Sequence, residues 1–581
     1  MSIGNHILLL DGATLPDRTL IGGKAWSIAR MSSLGLRVPP AFVITTRVCA
    51  HVLEHGSPPA DLEAGIDEAL SWLESSTARG FGGSAHPLLV SVRSGAPISM
   101  PGMMDTVLNL GINDETEALL AAECGDPAFA RDTHRRFIEL YAGIVLKSPM
   151  ELDPAGHPEE WRQKVASGSG KVPQDVRSQL RGAIDAVFNS WNSRRARRYR
   201  DHHGIPHDLG TAVTVQAMVF GNMDDLSGTG VLFSRNPLTG EPVPYGEFLR
   251  RAQGEDIVSG RHTPMPLDDL KALLPDVYGE LLAAAKRLEE EAGDVQDIEF
   301  TLERGALYLL QTRAAKRAPV AALRIARDMV DEQRLSPSDA LHRISSEQVR
   351  ILLSPRLAPS AADGARIVAK GEAASPGIGC GIVVMDSNEA EERARNGEDV
   401  VLASATTSPD DLHGMIAARA IITERGGSTS HAAVVGRALG RPCVVGCGPD
   451  ALAGLAGKEV TVDGASGQIF MGRLAVERPD AANDELLGAV ARWAGARSPI
   501  VVTDTPPAGD AVDFDAHAED ISDIFASLPR GITVRGAVFA NDDDAVRRAI
   551  DAGVAAIVTS PVLPALVAAA QSAREYRKET M

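Results

Sequence analysis

The stretch TERGGSTSHAAVVGRALGRPCVVG at residues 423–446 leaves the chain few local geometries. Gly426 and Gly427 make a turn, and Ser428, Thr429 and Ser430 supply side-chain oxygens. Thr429 or Ser430 is the expected N-cap, because such an oxygen satisfies a free backbone N–H at a helix start. Ala432, Val435, Ala438 and Leu439 then recur at helical spacing. Gly440 and Pro442 stop the helix, and residues 443–446 begin a strand. His431 thereby falls in a first helical turn, where free N–H groups and the positive dipole end favour a phosphate dianion. Its imidazole is largely unprotonated near neutral pH and is a competent nucleophile. Spacing alone does not separate that role from a structural one.

A second constraint is VQDIEFTLERGALYLLQTR at 295–313, two strand-like runs flanking ERGA and therefore a predicted hairpin. With Arg304-Gly305-Ala306 as the loop, Glu299 pairs with Gln311 and Asp297 with Arg313, all on one face. Two carboxylates, an amide oxygen and a guanidinium then converge. Such an oxygen-rich patch suits Mg²⁺ on nucleotide phosphates, with Glu299 and Gln311 as metal ligands and the arginine for phosphate charge. An exposed hairpin with weak cross-strand charge pairs is the plainer alternative.

GGSTSHAAVVGRALGRPCVVG resembles the phosphohistidine motif of the PEP-utilising enzymes, the family of pyruvate phosphate dikinase and PEP synthase, in which the His of TSHAA is transiently phosphorylated. Ser428 and Gly436 stand where dikinases usually carry Met and Ala, and Thr429 resembles the regulatory phosphorylation site of the plant enzymes. The resemblance continues upstream through SVRSGA, SMPGMMDTVLNLG and GEFLRRAQGEDIVSG, and DIEF and LQTR are similar to the metal- and phosphate-binding strands of the family's ATP-grasp fold. It implies that Lys24 and Arg93 contact ATP phosphates, that the loop around Gly102 closes over them, and that Glu255 contacts the nucleotide. Gln216, in the alternating run 211–222, joins Asp297, Glu299, Gln311 and Arg313 in the ATP-binding set. From spacing, Lys24 opens a helix after Gly22-Gly23; its charge has the wrong sign for the dipole there, so a nearby anion would offset that cost.

The expected fold class is α/β and α+β multidomain. An ATP-grasp region comprises a first lobe (1–110), a helical subdomain (111–205) and a second lobe (206–320). A helical connector and small-residue linker (321–365) lead to a swivelling α/β phosphohistidine carrier domain (366–475) and a partial barrel-like α/β region (476–581). A complete (β/α)₈ barrel needs about 250 residues. The expectation is therefore a dikinase form truncated before a complete PEP/pyruvate barrel. ITVRGAVFANDDDAVRRAIDAGVAAIVTS resembles that barrel's first steps, with Arg535 matching a phosphate-binding arginine, whereas no Cys follows Cys447 to match the barrel's catalytic one.

A formal net charge of −19 argues against general binding to nucleic acid or an anionic membrane, and the basic run RRARRYR (194–200) reads as a solvated helix face. Five scattered cysteines show no disulfide framework, and the early apolar run ILLL is too short for a signal peptide, so a cytoplasmic protein is expected. His413 reads as structural. The expected activity is an ATP-dependent phosphotransferase passing a phosphoryl group from Mg-ATP to His431 and on to an acceptor, with Mg²⁺ as cofactor. Expected partners are ATP, inorganic phosphate as a further cosubstrate, and a small-molecule acceptor or a separate PEP/pyruvate-binding protein, with a homodimer as an option. The alternative is a phosphocarrier or regulatory module without small-molecule turnover.

Overall fold

The computed structural model describes residues 2–4, 6–98, 100, 104–168, 170–258, 264–353, 356–358, 360–439, 441–477, 484–505, 511–514, 524–525 and 527–579. The chain is a mixed α/β, multidomain protein. Its first sheet contains β1 (Ser2–Ile3), β2 (Ile7–Leu9), β3 (Ala41–Ile44), β4 (Val90–Gly95), β5 (Thr106–Leu110) and β6 (Ala212–Ala217), in the order β1-β2-β3-β6-β4-β5. Although β6 follows a long helical insertion, it pairs between β3 and β4 and not with the strands that come after it. All of β6 is buried, because both faces are covered. Phe42, Ile44, Val213 and Val215 enter one core with the helices Leu62–Thr77, Pro127–Ile144 and Val176–Ser190. Ala41 and Val43 face the helix Arg18–Ser33 on the other side.

The helix Arg18–Ser33 kinks at Gly22 (φ 74°), where a Cβ would lie 1.9 Å from the Gly95 carbonyl oxygen. Only glycine permits that approach, and it starts the second helical segment beside Lys24. In the helical insertion Arg194, Arg197 and Arg198 are exposed, but Arg200 is wholly buried over the Trp191 ring at 4.0 Å and donates to the Trp191 carbonyl. The basic run is thus not uniformly solvated, since the indole and that carbonyl replace water for one guanidinium.

The second sheet is antiparallel: β7 (Gly228–Phe233), β8 (Tyr245–Arg250), β9 (Met265–Pro266), β10 (Gln296–Glu303) and β11 (Ala306–Ala314), ordered β11-β10-β7-β8-β9. Leu232, Phe248, Ile298 and Phe300 pack on the helix Pro275–Ala292 and on Met31, leaving the opposite face for polar residues. The Thr312 N–H donates to Ser27 Oγ at 2.7 Å, so the Arg18–Ser33 helix joins the two sheets.

Helices Pro319–Asp331, Pro337–Leu341 and Ser346–Leu353 share a core with Glu485–Gly495 and Val562–Glu579. Strands β12 (Arg356–Leu357) and β21 (Val476–Glu477) pair with each other and enclose a separate sheet in sequence. Between them lie β13 (Ile367–Lys370), β14 (Glu372–Ser375), β15 (Ile378–Val384), β16 (Val400–Ser404), β17 (Ala420–Thr423), β18 (Cys443–Val445), β19 (Glu459–Asp463) and β20 (Gln468–Met471). They form one eight-stranded sheet in the order β13-β20-β19-β15-β16-β17-β18-β14, parallel from β15 to β18. The last sheet is parallel, with β22 (Val501–Thr503), β25 (Ala556–Val558), β24 (Thr533–Arg535) and β23 (Ala511–Asp513) side by side. Arg535 is held there by Asp513 at 2.7 Å. Among the described residues no helix is long and apolar enough to cross a membrane.

Candidate active site

The hairpin β10–β11 has the expected functional register by a different route. Glu303 pairs with Ala306, so the turn is only Arg304-Gly305, both at positive φ (51° and 76°), as a two-residue hairpin turn of primed type requires. A register shift between Glu299 and Phe300 then restores Glu299 opposite Gln311 and Asp297 opposite Arg313. Because directly opposed residues share a face, the pairing extends into two rows across the sheet. One row runs Gln311, Glu299, Val231, Glu247; the next runs Arg313, Asp297, Phe233, Tyr245.

Arg93 reaches this face from the first sheet. It lies inside β4, not at its end, and its Nη2 is 3.4 Å from Gln311 Oε1 and 3.7 Å from Glu299 Oε2, while Nη1 is 3.4 Å from Gln216 Oε1. Gln216 donates its amide to the Pro39 carbonyl at 3.1 Å, which turns its oxygen toward Arg93. Arg313 Nε donates to Asp297 Oδ2 at 2.7 Å. Burial, reinforced by Arg93 and Arg313 and opposed by Glu299, pulls the Lys24 ammonium down to about 7. Asp297 is raised by burial, against the pull of Arg313. Three cations crowded beside few counter-charges make a place for an anion.

A cavity of about 270 Å³ opens between the two sheets, lined by Arg93, Gln216, Glu255 and Glu299 with Ala217, Met218, Ile257 and Leu310. Apolar walls with polar groups gathered at one side are the usual lining of a small-molecule pocket. Glu255 is also 3.3 Å from Arg136 of the helical insertion, which holds Asp256 at 2.9 Å. Gly102 lies outside the described residues. Of the predicted set, the structure gathers Lys24, Arg93, Gln216, Glu255, Asp297, Glu299, Gln311 and Arg313 around this cleft.

For a metal, Glu299 and Gln311 are adjacent oxygen donors on one face of the sheet. That donor set fits a hard cation. Among the described residues there is no group of three or more His, Cys, Asp or Glu placed for a metal. Few protein ligands is what a cation bound chiefly through phosphates needs.

His431 opens the helix His431–Leu439 directly after the glycine turn, in which Gly426 has φ 105°. Its Nδ1 is 3.3 Å from Thr407 Oγ1, and burial lowers its pKa against the opposing charge of Asp411. The expected cap is not made. Thr429 Oγ1 donates instead to Glu247 Oε2 at 2.6 Å, Ser428 Oγ donates to Glu247 Oε1 at 3.0 Å, and Ser430 Oγ has no partner among the described residues. The Thr429 and Ser428 hydroxyls give their protons to a carboxylate, a charge-assisted bond stronger than one between neutral groups. Tyr245 donates to Glu372 at 3.0 Å in the same junction. Glu247 is raised by burial, with Glu372 adding to it and the Thr429 and Ser428 hydroxyls opposing. Since Glu247 shares a row with Glu299 two strands away, a spacing of about 4.8 Å per strand puts their backbones about 10 Å apart.

Glu247 is the residue the sequence reading missed. Its only signal was an acid alternating with buried Phe248 in GEFL, which equally describes a solvated strand face. His413, read as structural, has a buried Nε2 without a hydrogen-bond partner among the described residues.

Residues 396–467 match the family model of the PEP-utilising enzyme mobile domain, and residues 18–79 and 55–267 match that of the pyruvate phosphate dikinase AMP/ATP-binding domain. The chain is 42% identical over 535 residues to a pyruvate, phosphate dikinase of Rhizobium meliloti (strain 1021), an alignment covering 84% of this chain and 59% of the relative. Identity to the pyruvate, phosphate dikinase of Clostridium symbiosum is 42% over 493 residues (78% of this chain, 56% of the relative), and to the chloroplastic pyruvate, phosphate dikinase 1 of Zea mays 41% over 513 residues (82% and 54%). The chain spans less than two thirds of the length of these relatives. By its nucleotide-binding and mobile domains, the chain belongs to the pyruvate phosphate dikinase family of PEP-utilising enzymes.

Proposed function

We propose that this chain is an ATP-dependent phosphotransferase of the pyruvate phosphate dikinase type, in which His431 takes a phosphoryl group from Mg-ATP in the cleft and passes it to an acceptor. The observation that carries the reading is the junction at Glu247: the loop preceding His431 is seated on the same row of the sheet as Glu299 and Gln311. In this reading residues 1–110 and 206–320 act as the lobes of an ATP-grasp unit, 111–205 as its helical subdomain, and 366–475 as a carrier that swivels on residues 321–365. The region 476–581 is assigned a barrel-like α/β role. The protein works in the cytoplasm.

Lys24, Arg93 and Arg313 draw the phosphates in, and Gln216 and Glu255 orient the nucleotide against the apolar wall. Glu299 and Gln311 would hold Mg²⁺, which when bound neutralises phosphate charge. The neutral imidazole of His431 is the nucleophile: Thr407 engages Nδ1, leaving Nε2 for attack. A bond forms from that nitrogen to the β-phosphorus as the bond to the α,β-bridging oxygen breaks, and AMP leaves with that oxygen and its electron pair. Inorganic phosphate then accepts the terminal phosphoryl group as pyrophosphate, leaving phospho-His431. The relatives' names supply the acceptor, pyruvate, bound by this protein or by a separate PEP/pyruvate-binding partner.

Incubation with β- and γ-labelled ATP tests this. β-label is expected on His431 and absent in His431→Ala; label persisting in that variant would sink the assignment. Label that no acceptor removes would instead favour a phosphocarrier role.

A further inference from the structure

Arg437 lies on the His431 helix and is 4% exposed. Its Nη1 donates to the Ala374 carbonyl at 2.9 Å, whereas Nε and Nη2 are buried without hydrogen-bond partners among the described residues. A guanidinium with two nitrogens unsatisfied in the interior is costly, and burial lowers its pKa. The ionisable groups near it are Cys443 of its own region and Tyr245, Asp297 and Glu247 of the nucleotide-binding sheet. Asp297 is its counterpart. This carboxylate is 4% exposed, accepts from Arg313 at Oδ2, feels the charge of Arg437, and has Oδ1 buried without a partner among the described residues. A half-satisfied carboxylate and a half-satisfied guanidinium, one from each side of the junction, thus stand within each other's field. Anchoring of the helix to β14 accounts for the Nη1 bond alone and leaves the burial of the other two nitrogens unexplained.

We propose that Arg437 is a positioning residue that couples carrier docking to the nucleotide site: in the transfer pose it pairs with Asp297 Oδ1 and so frees Arg313 to turn toward the donor phosphates. The inference rests on the phosphotransfer reading above and deepens it. A carboxylate shared between two guanidinium forks holds each less firmly than one fork alone, and lysine cannot reproduce the planar fork. The phosphate clamp would then reach full strength only with the nucleophile in place, which disfavours loss of the phosphoryl group to water.

The test uses the full chain and rapid-quench labelling of His431 from β-labelled Mg-ATP in wild type, Arg437→Met, Arg437→Lys, Asp297→Asn and the Arg437→Met/Asp297→Asn double variant. At saturating nucleotide Arg437→Met is expected to label about tenfold or more slowly with ATP affinity unchanged, Arg437→Lys to recover only part, and the double variant to be no slower than the slower single, as coupled residues require. Phosphoramidate, which phosphorylates histidine without a docked donor, should label Arg437→Met at the wild-type rate. If Arg437 only anchors its helix, phosphoramidate labelling and thermal midpoint fall together with ATP labelling and the losses in the double variant multiply; that outcome, or wild-type labelling in Arg437→Met, overturns the proposal. A wild-type chain that takes no label from ATP overturns the phosphotransfer reading itself, and this inference with it.

Discussion

Thr429 Oγ1 donates to Glu247 Oε2 at 2.6 Å, across the junction between the carrier loop and the nucleotide-binding sheet. Under the proposed function this bond would position the nucleophile through its neighbour: the residue two before His431 holds the nucleotide-binding sheet, and the histidine itself is left for phosphoryl transfer. Thr429→Val keeps the shape and removes the donor. A hydrogen bond to a charged group contributes about 1.5–3 kcal/mol, so transfer from ATP should slow by roughly tenfold to a hundredfold. Rapid-quench labelling checks this, with nucleotide binding measured alongside; an unchanged rate would remove the latch from the mechanism.

Gly427 offers a purely steric version of the same experiment. A Cβ there would lie 2.6 Å from Glu247 Oε1. Because the Thr429 and Ser428 hydroxyls hold that carboxylate in place, it cannot yield without losing them; overpacking of this kind costs about 1–3 kcal/mol, and it falls on the junction with Glu247. Gly427→Ala should therefore lower His431 labelling by roughly tenfold or more while the thermal midpoint stays close to that of wild type. A large drop in the midpoint would show that Gly427 serves the carrier fold instead.

Lys24 predicts a pH dependence of nucleotide binding. Burial has brought its free-state pKa to about 7, and a bound phosphate raises it again. A group whose pKa rises on binding contributes its full share below the free value and loses it as pH climbs through the bound value. Mg-ATP affinity should be steady below about pH 7 and should weaken progressively above it, with proton uptake on binding at pH 8 visible in calorimetry. In Lys24→Met affinity is lower throughout and that slope disappears; a slope that survives would place the titration elsewhere.

His431 predicts the opposite edge. Its pKa is lowered by burial, so the neutral ring persists into mildly acidic solution. The labelling rate should hold as pH falls to the ordinary imidazole value of about 6.5 and decline only below it. An NMR titration of the ring that gives a value above 6.5 contradicts this, because it would require the charged form to be favoured at the buried position.

Local chemistry made the hairpin and the His431 helix legible in the sequence. The pairing of Glu299 with Gln311 followed from strand alternation, and its survival despite a shorter loop depended on a bulge that no residue announces. The place of β6 was not legible, since its neighbours β3 and β4 lie far back in the chain and strand alternation does not identify a partner. Nor were Glu247 and Arg437: each looks ordinary until the other domain is set against it. The capping expectation at Thr429 failed for that reason, because a local rule was outcompeted by a carboxylate remote in sequence.

The pairing of β12 with β21 brings together the two points where the chain leaves and rejoins its flanking helices, and those helices share one core. Topologically the carrier is therefore a cassette: its two ends meet, and the surrounding body is joined without it. A short bridge from Leu357 to Val476 should close that body into a self-standing protein at little loop entropy, and the excised segment should fold around its own sheet.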